Sequence, residues 1–317
     1  MSEAVAKKRS GIEPHLALVA VQVIFGTWPI VGKVALRALP STGLVAFRVA
    51  GAAAAFLLLL HLTGRLRIPE RGDLARLALY SLLGVVLNQF LFVKGLSLST
   101  VANATLFGTA IPIFTLLVSV LLGFEKLTIR SALGTLIAAA GVVYLVDPYR
   151  ADFSGDKTLG NFLLVANTIS YGAYIAVSQK IFRRYGALTA MTWVFAFGSI
   201  AAIPIGGYQL SKVPLETIGW TTWLAVAYII LVPTVGAYYL NAWALERVAP
   251  STVAVYIYLQ PLIAFALAPI FLGAEERWGT RHQVAAALIF AGVAVVILRP
   301  RSRVIADVSE HPDALGH

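Results

Sequence analysis

The sequence predicts an all-α integral membrane protein of ten transmembrane helices, built as two inverted five-helix repeats. Three observations carry that prediction: too little charge to coat a soluble surface, ten apolar runs of spanning length, and matching residues about half a chain apart. Hydrophobic residues make up 59% of the 317 and charged residues 13%, against roughly 45–50% and about 25% in soluble domains. Mean hydropathy is +0.81. The same figures exclude disorder, coiled coil and collagen. The chain has no cysteine, which excludes disulfides, thiolate metal sites and thiol nucleophiles.

A membrane-crossing helix needs about 20 apolar residues. Apolar runs between charged or Pro/Gly breaks fall at 16–36, 42–62, 75–95, 100–123, 128–146, 159–181, 187–209, 220–243, 250–272 and 280–298. Backbone in hydrocarbon must satisfy its own hydrogen bonds, so each run is predicted to be a helix. None alternates like a barrel strand. The first run follows Lys7, Lys8 and Arg9, is too long for a signal h-region and has no small-residue cleavage site close behind it. It therefore reads as an uncleaved span. It carries Gln22, Trp28, Pro29 and Lys33. The second carries Arg48 and a Gly51–Ala55 pair, and the fifth a Gly134–Ala138 pair. Small residues at this spacing let helices approach closely. Asn88 and Gln89 lie on the third span, Pro112 on the fourth, and Pro261 on the ninth. Each proline leaves a helix carbonyl unbonded. The connections are short, so no extramembrane domain is expected.

The net charge is +10. In a soluble chain this would suggest nucleic acid. In a membrane chain it reflects the Lys/Arg excess of cytoplasmic loops. With the N-terminus inside, 16 basic residues fall on the inner side and 7 on the outer, while Lys33 and Arg48 lie within spans. Both termini are therefore expected in the cytoplasm. The organisation is a tail at 1–15, a first repeat at 16–146, an outer connection at 147–158, a second repeat at 159–298 and a tail at 299–317.

The two halves match in order. Leu18-Val19-Ala20 and Phe25-Gly26-Thr27-Trp28 correspond to Leu164-Val165-Ala166 and Tyr171-Gly172-Ala173-Tyr174, at an offset of 146. Pro112 corresponds to Pro261 at 149, and Glu125 to Glu276 and Gly141 to Gly292 at 151. Five spans per copy is an odd number, so the second copy enters the membrane upside down, as in many secondary transporters. The pattern Pro112…Glu125-x-x-Thr128…Gly134…Gly141, its echo Pro261…Glu276…Gly292, and Arg48 resemble the EamA family of ten-helix permeases, within the drug/metabolite transporter superfamily. The likeness covers roughly residues 16–298. The second copy departs from it with Gly279 in place of Thr128 and Ala285 in place of Gly134. The resemblance implies export or uptake of small metabolites, often amino acids, with outward movement.

The fifteen acidic residues all fall in loops, tails or span ends. Proton relays and drug-cation sites normally use an intramembrane carboxylate. The small multidrug exporters of the same superfamily depend on a glutamate in their first span, and this first span has none. No HExxH or G-x-S-x-G occurs. The stretch Gly26–Lys33 imitates a P-loop, but five residues separate its glycines and Val34 follows the lysine. An enzyme is therefore not expected, nor a cofactor, a metal or a nucleic-acid partner. The expected partners are a small-molecule substrate and the lipid bilayer.

Lys33 and Arg48 fall in the outer part of the membrane. They either snorkel to outer headgroups or form a basic entrance that attracts a carboxylate, with Asp147 as a structural partner. On the sixth span Asn167, Tyr171, Tyr174 and Ser178 share one helical face. A polar face inside a membrane should meet protein or water. The matching positions on the first span are Val21, Phe25, Trp28 and Gly32. The two faces are expected to oppose each other across a central cavity, completed by Asn88, Tyr256 and Gln260. Such a pocket suits a zwitterion with an apolar or aromatic side chain, hydrogen-bonded by one wall and stacked on the indole of the other. The competing readings are another small organic solute and a membrane scaffold or receptor without transport.

Overall fold

The computed structural model describes residues 11–64, 68–146, 155–263 and 280–298. Among them every regular element is helical. Helices α1 (Glu13–Ala35) and α2 (Ser41–Leu62) are followed by α3 (Arg71–Leu98), which contains a π-helical segment at Leu82–Leu87. The next run is broken. α4 (Val101–Gly108) stops, and α5 (Ile111–Leu121) restarts with Pro112 in its first turn, where a missing N–H costs nothing. Then come α6 (Ile129–Val146), α7 (Thr158–Tyr185) and α8 (Ala187–Leu210). α9 (Trp220–Leu245) has its own π-helical segment at Ile230–Gly236. α10 (Pro250–Val255) passes through a 3-10 turn, Tyr256–Tyr258, into a helical stretch at 259–263. α11 (Thr280–Ile297) is the last described helix.

Among the described residues six helical segments are long and apolar enough to cross a membrane: α1, α2, α3, Asn103–Leu121, α8 and α9. α6 and α11 supply shorter apolar stretches, Ile129–Leu145 and Gln283–Ile297. α7 has 28 residues, or about 42 Å at the usual rise. It is outside the six because asparagines, serines and Arg183-Arg184 dilute its apolar sequence. Residues 264–272, the rest of the ninth expected span, lie outside the described residues, as do Asp147, Glu276 and Gly279.

α2 lies along α8, α6 along α11, α1 against α9, and the second half of α3 against α7. Glycine makes the closest approaches. A Cβ on Gly292 would sit 2.5 Å from the Gly134 carbonyl oxygen, and one on Gly206 would sit 2.4 Å from that of Thr42. In a bilayer, where apolar contact with lipid competes with apolar contact between helices, such backbone proximity is a main source of packing energy. The outer surface carries exposed Leu58, Ile200, Leu231 and Phe290, as a surface facing hydrocarbon must.

Gly11 and Leu298, the first and last of the described residues, line one cavity, so both lie on the same face, here called the terminus side. Polar fastenings gather there. Asp73, only 2% exposed, accepts from Arg76 Nη1 (2.8 Å), Arg184 Nη1 (2.6 Å) and Tyr185 Oη (2.8 Å), tying the start of α3 to the end of α7. Glu246 accepts from the Ala187 N–H at the start of α8. Glu125 accepts from the Ser251 N–H at 3.0 Å and from its hydroxyl, at the start of α10. Carboxylates at helix starts satisfy orphan amides and complement the helix dipole. On the far face, Ser99, Asn103 and Asn161 join α7 to the turn between α3 and α4, with Ser99 Oγ donating to Asn161 Oδ1 at 2.6 Å.

Candidate functional site

The irregular backbone converges on one place. The α4–α5 break contributes Gly108 and Thr109, and the 3-10 turn contributes Ile257 and Tyr258, to a cavity of about 130 Å³. Each π-helical segment ends just ahead of further lining residues, Asn88 and Gln89 on α3 and Tyr238 on α9. Non-helical backbone at membrane depth is tolerated where it lines a cavity or is buried in protein. π-segments recur at functional sites because they re-aim the side chains that follow. The volume is close to that of a dry engineered cavity of about 150 Å³ that accepts benzene. It suits a solute of modest size.

α1 contributes Phe25 and Trp28, and α7 contributes Asn167 and Tyr171. Asn167 Nδ2 donates to the Asn88 carbonyl at 2.8 Å, and Tyr238 Oη donates to Asn88 Oδ1 at 3.1 Å. Gln260 Nε2 donates to Gln22 Oε1 at 2.7 Å, linking the 259–263 stretch to α1. Tyr238 packs edge-on against Phe25 and Phe195, at 6.0 and 5.3 Å between centroids. The lining is thus part amide and hydroxyl, part aromatic.

One charge reaches this lining. Arg48 is 3% exposed. Its Nε donates to Thr234 Oγ1 at 3.1 Å, and its guanidinium carbon lies 3.9 Å from the centroid of the Trp28 ring. Among the described residues no carboxylate is ion-paired with it. The indole face stabilises a desolvated cation by about 2 kcal/mol. Isolated buried charge is far more costly than that, so the site is electrostatically incomplete without an anionic group.

Five of the eight residues expected to line the pocket meet at this cavity, Trp28, Asn88, Asn167, Tyr171 and Gln260, and Arg48, expected at the outer entrance or snorkelling to headgroups, lines it with them. Four lie elsewhere. Tyr174 stacks on Tyr171 at 5.7 Å and fills a notch that exists because residue 84 is glycine; a Cβ there would be 2.4 Å from its ring. Ser178 is fully buried further along α7. Tyr256 donates or accepts at His15 Nδ1 (2.7 Å), on the way to the terminus side. Lys33 Nζ donates to the carbonyls of Leu96 (2.6 Å) and Ser99 (3.3 Å), closing the C-terminal end of α3. Gln89, Tyr238 and Tyr258 line the cavity without having been grouped with it, as do Phe92 and Thr109. Pro233 and Gly236 in the eighth span, and Pro261 in the ninth, were the available signals that nearby backbone would be irregular.

A helical shell with an apolar exterior around a solute-sized cavity, lined mostly by apolar groups with a few amides, hydroxyls and one guanidinium, defines a multi-pass membrane protein with an internal site. The sequence profile of the EamA-like transporter family matches residues 14–146 and again 158–298. The chain belongs to that family, and is a membrane transporter of small molecules, not an enzyme. It is 24% identical over 300 residues to the "Uncharacterized transporter YetK" of Bacillus subtilis (strain 168), covering 93% of this chain and 89% of that one. It is 24% identical over 326 residues to "Protein WALLS ARE THIN 1" of Arabidopsis thaliana, covering 90% and 82%. A solved crystal structure superposes with a TM-score of 0.73 at 22% identity, covering 90% of this chain and 97% of its own, which establishes likeness of fold.

Proposed function

We propose that this transporter is a ten-span permease of the cell membrane, made of two inverted five-helix repeats at 16–146 and 159–298, with both tails in the cytoplasm. Its cargo is an amino acid with an apolar or aromatic side chain, moved outward by alternating access. The helix pairs support the repeat. The offsets of 146–151 carry α1 to α7, α2 to α8, α3 to α9 and α6 to α11. The α2–α8 and α6–α11 contacts then map onto themselves, and α1–α9 maps onto α7–α3. The two π-segments correspond at an offset of 148. Cysteines at Ser10 and Ser302 should react only from the cytoplasm and one at Ser154 only from outside; labelling of the first two on opposite faces would remove the repeat.

The observation that carries the cargo is Arg48 held against Trp28 in a cavity with no other charge among the described residues of its lining. A carboxylate on the guanidinium completes the electrostatics, and the amides of Asn88, Asn167 and Gln260 offer partners for an ammonium or amide group. Phe25, Phe92 and Trp28 receive an apolar side chain. Proteoliposomes loaded with L-phenylalanine should take up the labelled amino acid by saturable counterflow. Uptake no faster than in empty liposomes, for phenylalanine and a panel of other amino acids alike, would overturn the assignment.

A further inference from the structure

Between the cavity and the terminus side lies a seam where α5, α7 and α10 pack on one another. It is closed. A Cβ on Gly172 of α7 would lie 3.1 Å from the Thr115 amide nitrogen of α5, so the two backbones nearly touch. Four hydroxyls are carried by these elements: Thr115 and Ser119 on α5, Ser178 on α7, and Tyr258 in the turn that follows α10. Each is fully buried, and none finds a hydrogen-bond partner among the described residues. Outside these elements Ser81 Oγ on α3 is also buried without a partner among the described residues, whereas other hydroxyls bond conventionally. Thr27, Thr168, Thr192 and Ser199 donate to carbonyls three or four residues back along their helices. An unpaired buried hydroxyl is destabilising by about 1–3 kcal/mol. Four in one seam mark a surface whose polarity suits another state.

The string has a defined beginning and end. Tyr258 lines the central cavity. At the other end the Ser119 carbonyl accepts from the N–H groups of Phe124 (2.8 Å) and Glu125 (3.1 Å). Glu125 in turn clasps Ser251 at the start of α10. Glu125, Ser251 and Gln179, the neighbour of Ser178, line the second, wider cavity on the terminus side. The clasp therefore joins α5 to α10 at the mouth of the seam, and the hydroxyls connect the two cavities behind it.

We propose that this seam is the shut half of the translocation path, with the hydroxyls of Thr115, Ser119, Ser178 and Tyr258 as its polar lining and the Glu125–Ser251 clasp as its latch. The inference rests on the permease reading, since a path is needed only if a solute crosses. Opening the clasp separates α5 from α10 and lets water or the solute's own polar groups satisfy the four hydroxyls. They are neutral, so the seam itself adds no cation between Arg48 and the terminus-side cavity, whose lining includes Lys126, Arg130, Arg183 and Arg247.

The absence of native cysteine makes the test direct. Ser119→Cys and Ser178→Cys are nearly isosteric, and a charged, membrane-impermeant methanethiosulfonate reports water access from the terminus side. Glu125→Ala should raise the labelling rate at both positions tenfold or more, and Ser251→Ala should do so to a smaller degree should the first variant fold poorly. Ser199→Cys on α8, away from the seam, should stay unreactive in either background. Unchanged labelling at 119 and 178 with the clasp removed overturns the proposal. So does an equal rise at 199, which would mean general loosening. L-phenylalanine counterflow by the same proteins separates the two readings. Counterflow without seam access refutes the path and leaves the permease; seam access on removal of the clasp, with no counterflow of phenylalanine or any amino acid of the panel by the protein whose clasp is intact, keeps the path and refutes the amino-acid cargo.

Discussion

Lys33 and Gln179 stand 146 residues apart and do the same thing. Lys33 donates to the carbonyls of Leu96 and Ser99 at the end of α3, and Gln179 Nε2 donates to those of Leu245 (2.8 Å) and Val248 (2.6 Å) at the end of α9. The four acceptors correspond at an offset of 149. A helix end leaves carbonyls without intrahelical partners, and each half closes its own with a long donor from a neighbouring helix. A charge in one half and an amide in the other make one fastening. The neighbouring positions behave oppositely. Arg48 and Thr234 form a buried polar pair beside Trp28 at the cavity. Their counterparts are Val194, which is fully buried, and Val86, while Tyr174 replaces Trp28 and packs into the notch at Gly84. The two halves thus share their fastenings and differ at these matched positions: Arg48, Thr234 and Trp28 meet beside a cavity that both halves line, whereas Val194, Val86 and Tyr174 bring no charge to theirs.

The largest test of that contrast is Val194→Arg, which places a cation where the first half has one but gives it no cavity. An uncompensated buried charge is destabilising by about 3–5 kcal/mol, so most of the protein should be lost on size exclusion in mild detergent. Recovery at the wild-type level would show that the second half is as accommodating as the first. Arg48→Gln is expected to remove about 1.5–3 kcal/mol of charge-assisted binding, raising the half-saturation concentration for L-phenylalanine about 10- to 150-fold and that for its amide much less. Equal losses for acid and amide would assign Arg48 to structure. Trp28→Ala removes stacking worth about 0.5–1.5 kcal/mol. It should flatten the preference for aromatic over small side chains more than it lowers the overall rate, which competition among amino acids would reveal. The smallest effects belong to the fastenings. Lys33→Gln and Gln179→Lys each keep a donor in reach of the same carbonyls, so each should change thermal stability by less than about 1 kcal/mol. A loss of transport in Lys33→Gln at unchanged stability would return the lysine to the substrate's route.

Much of the site was legible before any coordinates. Asn167 and Tyr171 are four apart on one helical face, and the repeat matched the residues of that face to Val21, Phe25, Trp28 and Gly32, of which Phe25 and Trp28 line the same cavity. The same helical arithmetic also included Tyr174 and Ser178, which the cavity does not reach. Periodicity gives the face a residue occupies. It does not give the depth at which a neighbouring helix stops, and here Gly84 admits the Tyr174 ring where a larger residue would have pushed it toward the cavity. Tyr238 and Tyr258 were missed for a related reason. A π-segment and a 3-10 turn rotate the residues that follow, and an assumed 3.6-residue period carries them to the wrong side.

By itself the sequence determined the membrane-helical class and the pairing of two similar halves, because bilayer solvation acts on composition and run length one segment at a time. It also placed a cation within the second span. Only the tertiary structure decided what that cation meets. Whether Arg48 reaches headgroups or faces a buried cavity depends on Trp28 and Thr234, 20 and 186 residues away in the chain. The same holds for the four unpaired hydroxyls. Thr115, Ser119 and Ser178 could each have bonded back to a carbonyl of its own helix, and it is the packing around them that leaves these three and Tyr258 without partners among the described residues.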